Sequence, residues 1–130
     1  IEDLKETFKN IKIINKLDYT KNKNFSLTVF GSVAQYDKNF IKNWDIERSF
    51  KTEYILFTHT PLSLSETFIS KQYSGYTGEQ YIHSFEEVLN NLSKKGFEII
   101  FKSTLSDDNA RVEEKYKDKT VYANMLFKKS

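Results

Sequence analysis

The feature that most constrains this chain is a nearly unbroken apolar run, residues 25–30, closed by the turn Gly31-Ser32-Val33-Ala34-Gln35-Tyr36. Its length suits a strand buried on both faces, as in a parallel sheet. Asp37 follows and can cap a helix by accepting backbone N–H bonds, with Phe40, Ile41 and Trp44 as the apolar stripe. A second run, 54–57, predicts another buried strand. Thr58-His59-Thr60-Pro61 ends it, because proline cannot donate to a ladder.

The remaining segments are arranged around these strands. Ile1, Leu4, Phe8 and Ile11 share one helical face and predict a helix over 1–9. Residues 11–14 are β-branched enough for a strand, and 18–24 are polar and read as a loop. Residues 62–81 form a long connection carrying Phe68, Tyr73, Tyr76 and Tyr81, with Gly75 and Gly78 for bends. Connections of that length in compact domains are often functional. Ser84 and Glu87 predict a capping box opening a helix over 84–95, and Gly96 is placed for its left-handed end. A strand follows over 97–102, then a charged loop over 105–120 with a helical turn near 111–116, then a strand over 121–127. Strand–helix–strand units imply a largely parallel sheet. The last two strands have no helix between them and predict an antiparallel pair at one edge.

Bulk properties exclude several function classes. The 130 residues suit one α/β domain spanning 1–130, and 11 Phe with 8 Tyr are too many for a disordered chain. Net charge is +2, and Lys21, Lys23, Lys38 and Lys42 stand among Asn and Asp with no Arg. That is not a nucleic-acid footprint. The absence of Cys excludes disulfides and thiolate metal sites. Asp107 and Asp108 have no third ligand at useful spacing, so no metal is expected. No membrane span or signal peptide is visible, and a cytoplasmic protein is expected. The first residue is Ile1, which leaves open a fragment, a processed product or an expressed piece of a longer protein.

The stretch 25–36 resembles the fourth strand and following turn of class I methyltransferases, and in particular the SGxLQY turn of a bacterial family linked to surface-polysaccharide loci. Residues 54–61 are similar to that family's fifth strand, with His59 where the family usually has Arg. Residues 81–100 resemble its fifth helix and sixth strand, and 121–128 its seventh strand. The resemblance covers nearly the whole chain as the C-terminal half of such an enzyme. It implies a partial Rossmann-like methyltransferase sheet, mostly parallel with an antiparallel C-terminal strand pair. The Gly-rich turn that lets a backbone approach the cofactor is missing, since Gly31, Gly75, Gly78 and Gly96 are isolated.

By that resemblance the activity is methyl transfer from S-adenosylmethionine to an acceptor such as a glycan hydroxyl. Asp18, Tyr19, Gly31 and Ser32 become cofactor contacts. The residue pattern at Asp18 favours a turn residue bonding its own backbone over that contact. Gln35 and Tyr36, at a strand's carboxyl end, suit substrate contacts, although Tyr36 could simply cover the sheet edge. His59 suits a general base or a structural histidine, and His83 reads as a surface residue. Tyr73, Tyr76 and Tyr81 either line an acceptor pocket or anchor a long loop. The competing reading is a non-catalytic interaction or assembly module. In it the open edge of the strand at 25–30 is covered by a homodimer partner or by a missing N-terminal segment.

Overall fold

The computed structural model of the chain describes residues 23–40, 51–74, 76–105 and 111–130. The expected helix over 1–9, the strand over 11–14, Ile41 and Trp44, and the residues Asp18, Tyr19, Asp107 and Asp108 lie outside them. The described strands are β1 (Asn24–Gly31), β2 (Lys51–Ser63), β3 (Phe68–Ser74), β4 (Tyr76–Ser84), β5 (Phe97–Leu105) and β6 (Thr120–Lys129). Helix α1 (Phe85–Lys94) joins β4 to β5, and 3-10 turns cover Ala34–Tyr36 and Glu114–Lys119.

Strand β2 is the axis of the sheet. On one edge it pairs antiparallel with β6, from Tyr54↔Lys128 to Ser63↔Thr120. Its other edge is divided between two partners. β1 runs parallel to it up to Gly31↔Thr58, and β4 meets it parallel only at Leu62↔His83 and Ser63↔Ser84. β5 pairs antiparallel with β6, and β3 with β4.

Three of the five pairings are therefore antiparallel. The expected mostly parallel, Rossmann-like methyltransferase sheet is not what forms. Residues 62–81, read as a long connection, are instead the end of β2 and most of a β-hairpin. Ser70 and Gln80 face each other across that hairpin and are buried. Its inward positions are thus partly polar, and the apolar alternation that marks a strand is absent.

Two further expectations are corrected. Residues 25–30 are a strand, but Leu27 is 47% exposed and Val29 53%. Of this run only Phe30 packs against the core cluster. Thr58 to Pro61 does not end β2, which continues to Ser63. A bulge between Phe57 and Thr60 takes up the irregularity, and Pro61 sits beside it, where a strand tolerates a missing donor.

The main core lies between the sheet and α1. Ile55, Phe57 and Leu62 of β2 meet Ala123, Met125 and Phe127 of β6, with Val88 and Leu92 of α1 packed on them. Burying each large apolar side chain contributes about 1.5–3 kcal/mol. A second cluster of Phe68, Ile82, Val112 and Tyr122 fixes the hairpin to β6.

Helix α1 begins as its local sequence requires, with Ser84 Oγ accepting from the Glu87 N–H. The return half of the box runs through a third residue. Ser84 N–H donates to Thr67 Oγ1 at 2.9 Å, and the Thr67 hydroxyl donates to Glu87 Oε2 at 2.8 Å. Gly96 takes the left-handed conformation, φ 83°.

Candidate functional site

The division of β2's edge creates the site. Between Thr58, where β1 ends, and Leu62, where β4 begins, residues 59–61 have no strand partner on that side among the described residues. A cleft of about 440 Å³ opens there, lined by Ser32, Gln35, Tyr36, His59, Pro61, Gln72, Gln80, Arg111 and Tyr122.

Two lining residues hold backbone conformations that only glycine adopts freely. Ser32 has φ 51° and His59 has φ 45°. Each left-handed L-residue costs roughly 1–2 kcal/mol. Outliers of this kind persist where surrounding bonds over-determine them, and they cluster at functional sites. The bonds are visible here. Ser32 N–H donates to Thr58 O at 3.0 Å, which extends the β1–β2 ladder by one residue. His59 N–H donates to Asn124 Oδ1 at 2.8 Å, and Asn124 Nδ2 donates to Ser103 Oγ at 3.2 Å. The His59 ring stacks on Tyr122, with centroids 4.4 Å apart and planes 14° from parallel.

The 3-10 turn supplies the opposite wall. Gln35 is only 4% exposed. Its Nε2 donates to Ser32 Oγ at 3.0 Å, and its Oε1 has no hydrogen-bond partner among the described residues. The Tyr36 hydroxyl donates to Gln72 Oε1 at 3.2 Å, bridging the turn to β3. The turn is held from below by His83, which is buried. Its Nε2 lies 3.1 Å from both Ala34 O and Asp37 O. Carbonyl oxygens only accept, so Nε2 carries the proton and donates to them. His83 is therefore not the surface residue its sequence context suggests.

The third wall comes from β4 and from the segment before the second 3-10 turn. The buried Gln80 amide donates to Arg111 O, and Arg111 N–H donates to the Tyr122 hydroxyl at 3.3 Å. None of the nine lining residues is acidic, and no group of metal-binding side chains occurs among the described residues. Neutral hydroxyls and amides dominate the lining.

Of the residues singled out from sequence, the fold brings Ser32, Gln35, Tyr36 and His59 to one cleft. Gly31 lies beside it, and a Cβ there would meet Thr58 Oγ1 at an ordinary 3.5 Å, so no close approach depends on that glycine. Asp18 and Tyr19 lie outside the described residues, and so do the side chains of Tyr73 and Tyr76 at the hairpin tip. Tyr81 faces a separate pocket beside α1. Gln72, Gln80, Arg111 and Tyr122 were not singled out. The two glutamines carried no apolar period-two signal, because the inward hairpin positions between Phe68 and Ile82 include the polar Ser70 and Gln80.

No helix among the described residues is long and apolar enough to cross a membrane. Comparison with family models, curated proteins and solved structures finds no match to this chain.

Proposed function

We propose that the cleft binds a hydroxyl-bearing small molecule, such as a sugar of a surface glycan, and that the chain is the acceptor side of a cytoplasmic methyltransferase. The observation that carries this reading is the convergence of two strained residues, Ser32 just past the end of β1 and His59 at the bulge of β2, on one cleft whose described lining has no acid. In it, a ring nitrogen of His59 takes the proton of the acceptor hydroxyl, as a general base positioned within hydrogen-bond reach does. Tyr122 beneath the ring and Asn124 at its backbone hold that nitrogen in place. Ser32, Tyr36 and Gln72 orient the acceptor, because transfer depends above all on positioning.

The described residues do not fit S-adenosylmethionine itself. No carboxylate lines the cleft to receive ribose hydroxyls, and Gly31 opens no cradle. No step is therefore assigned to it. The donor side of such an enzyme would fall outside the described residues.

The test is a pair of titrations. S-adenosylhomocysteine is expected to bind the chain weakly or not at all, and micromolar affinity would refute the absence of a donor site. The ring ¹H–¹⁵N signals of His59 are expected to move as neutral methyl glycosides are added. An unmoved ring would remove His59 from an acceptor site.

A second reading has its own support. Phe25, Leu27 and Val29 are exposed along β1, and β1 pairs with β2 alone among the described residues. An apolar strand whose outer edge has no partner among the described residues suits an assembly module that pairs with another copy. Concentration-dependent sedimentation separates this reading from a monomeric enzyme.

A further inference from the structure

We infer that Gln35 is the specificity-determining residue of the cleft, and that its side-chain amide is completed by a ligand hydroxyl. This rests on the cleft being an acceptor site. A buried amide normally finds partners for both its heteroatoms. Here Nε2 reaches Ser32 Oγ, and Oε1 reaches no partner among the described residues. Exchanging the two amide atoms does not remove the deficit. Ser32 Oγ–H would then donate to the oxygen, and the nitrogen would be the orphan. The missing partner is a donor in the first orientation and an acceptor in the second, and a hydroxyl serves either one.

The surroundings narrow the ligand further. Ser32, Tyr36 and Tyr122 present hydroxyls, and Gln72 and Gln80 present amides. Among the described residues of the lining none is acidic, and Arg111 is a cationic member of it. A ligand with several neutral hydroxyls matches this lining, and a saccharide is the class that carries them at close spacing. The orphan oxygen is shielded in the free chain, so a ligand hydroxyl reaches it only as the turn carrying Gln35 shifts. The contact from the Tyr36 hydroxyl to Gln72, which ties this turn to β3, is exposed and 3.2 Å long, and it is the contact the inference requires to open.

Keeping an unsatisfied buried amide is unfavourable for folding alone, so the structural and functional roles of Gln35 predict opposite results for Gln35→Met. That variant keeps the length of the side chain and removes the orphan. It is expected to melt at or above the wild-type temperature. The probes are methyl α-glucoside, methyl β-galactoside and methyl α-mannoside, followed through the side-chain amide resonances of Gln35. At least one is expected to shift them saturably, and Gln35→Met is expected to weaken its binding about tenfold, the loss of one hydrogen bond. Two results would overturn the inference: none of the three glycosides moves the Gln35 amide, or Gln35→Met melts lower yet binds equally. If the His59 ring moves while the Gln35 amide does not, only the role of Gln35 fails. If neither moves, the acceptor site fails with it.

Discussion

Replacing His59 by glycine and, separately, by alanine tests whether the cleft stores backbone strain. Both changes remove the ring that stacks on Tyr122 at 4.4 Å, at a shared cost of about 0.5–1.5 kcal/mol. Both keep the backbone N–H that Asn124 Oδ1 accepts. What differs is the conformational preference at φ 45°. In an ordinary strand, glycine is less stable than alanine by roughly 0.5–1 kcal/mol. In the left-handed region the order reverses, because alanine retains the Cβ clash of about 1–2 kcal/mol that glycine lacks. After glycine's extra entropy loss, His59→Gly should exceed His59→Ala by about 1 kcal/mol, or a few degrees in melting temperature for a chain of this size. Urea unfolding followed by circular dichroism, with unchanged m-values, measures the difference directly. An alanine variant as stable as the glycine variant, or more so, would refute the claim of strain. If strain is retained for function, both variants should also lose the glycoside response.

Three further outcomes follow from the packing. Thr67→Val breaks the relay between Ser84 N–H and the Glu87 carboxylate and should cost about 1–2 kcal/mol in urea unfolding, with amide exchange rising first in the opening turn of α1. His83→Phe removes the donor to Ala34 O and Asp37 O, which frees the turn carrying Gln35, so glycoside affinity should fall more than stability does. The Lys119 ammonium, bonding to the Glu66 carboxylate at 2.8 Å, is the largest cause that lowers its pKa from the ordinary 4.5 to about 2. A depressed carboxylate stabilises the fold fully above its unfolded value and loses that contribution as pH falls. Acid titration of stability should therefore show wild type falling toward Glu66→Gln between pH 4.5 and about 2, and parallel curves would refute the contact.

The candidate site was partly legible before the fold was known. Ser32, Gln35 and Tyr36 follow an apolar run directly, so chain order alone placed them past a strand end, whereas His59, expected at the end of a second run, lies at a bulge within β2. Arg111 and Tyr122 were not legible, because Tyr122 joins the cleft by lying opposite Pro61 on a strand far along the chain and Arg111 by bonding to Gln80 and Tyr122. His83 was misread for the same reason. Its partners, Ala34 O and Asp37 O, lie 49 and 46 residues away, and no local pattern reports them.

What the sequence by itself determined were features whose energetics are local. Ser84, the spacing of Val88 and Leu92, and Gly96 define α1 and its end, because capping and left-handed termination act within one turn. Strand-forming runs at 25–30, 54–57, 97–102 and 121–127 were legible for a similar reason. Only the tertiary structure decided which strands pair, in which direction, and where β2 exchanges β1 for β4. Strand direction is set by hydrogen bonds between distant segments, and the same apolar run satisfies a parallel or an antiparallel neighbour. The strain at His59 is of this second kind. It is held by Asn124, 65 residues further on, and exists only once β6 has docked beside β2.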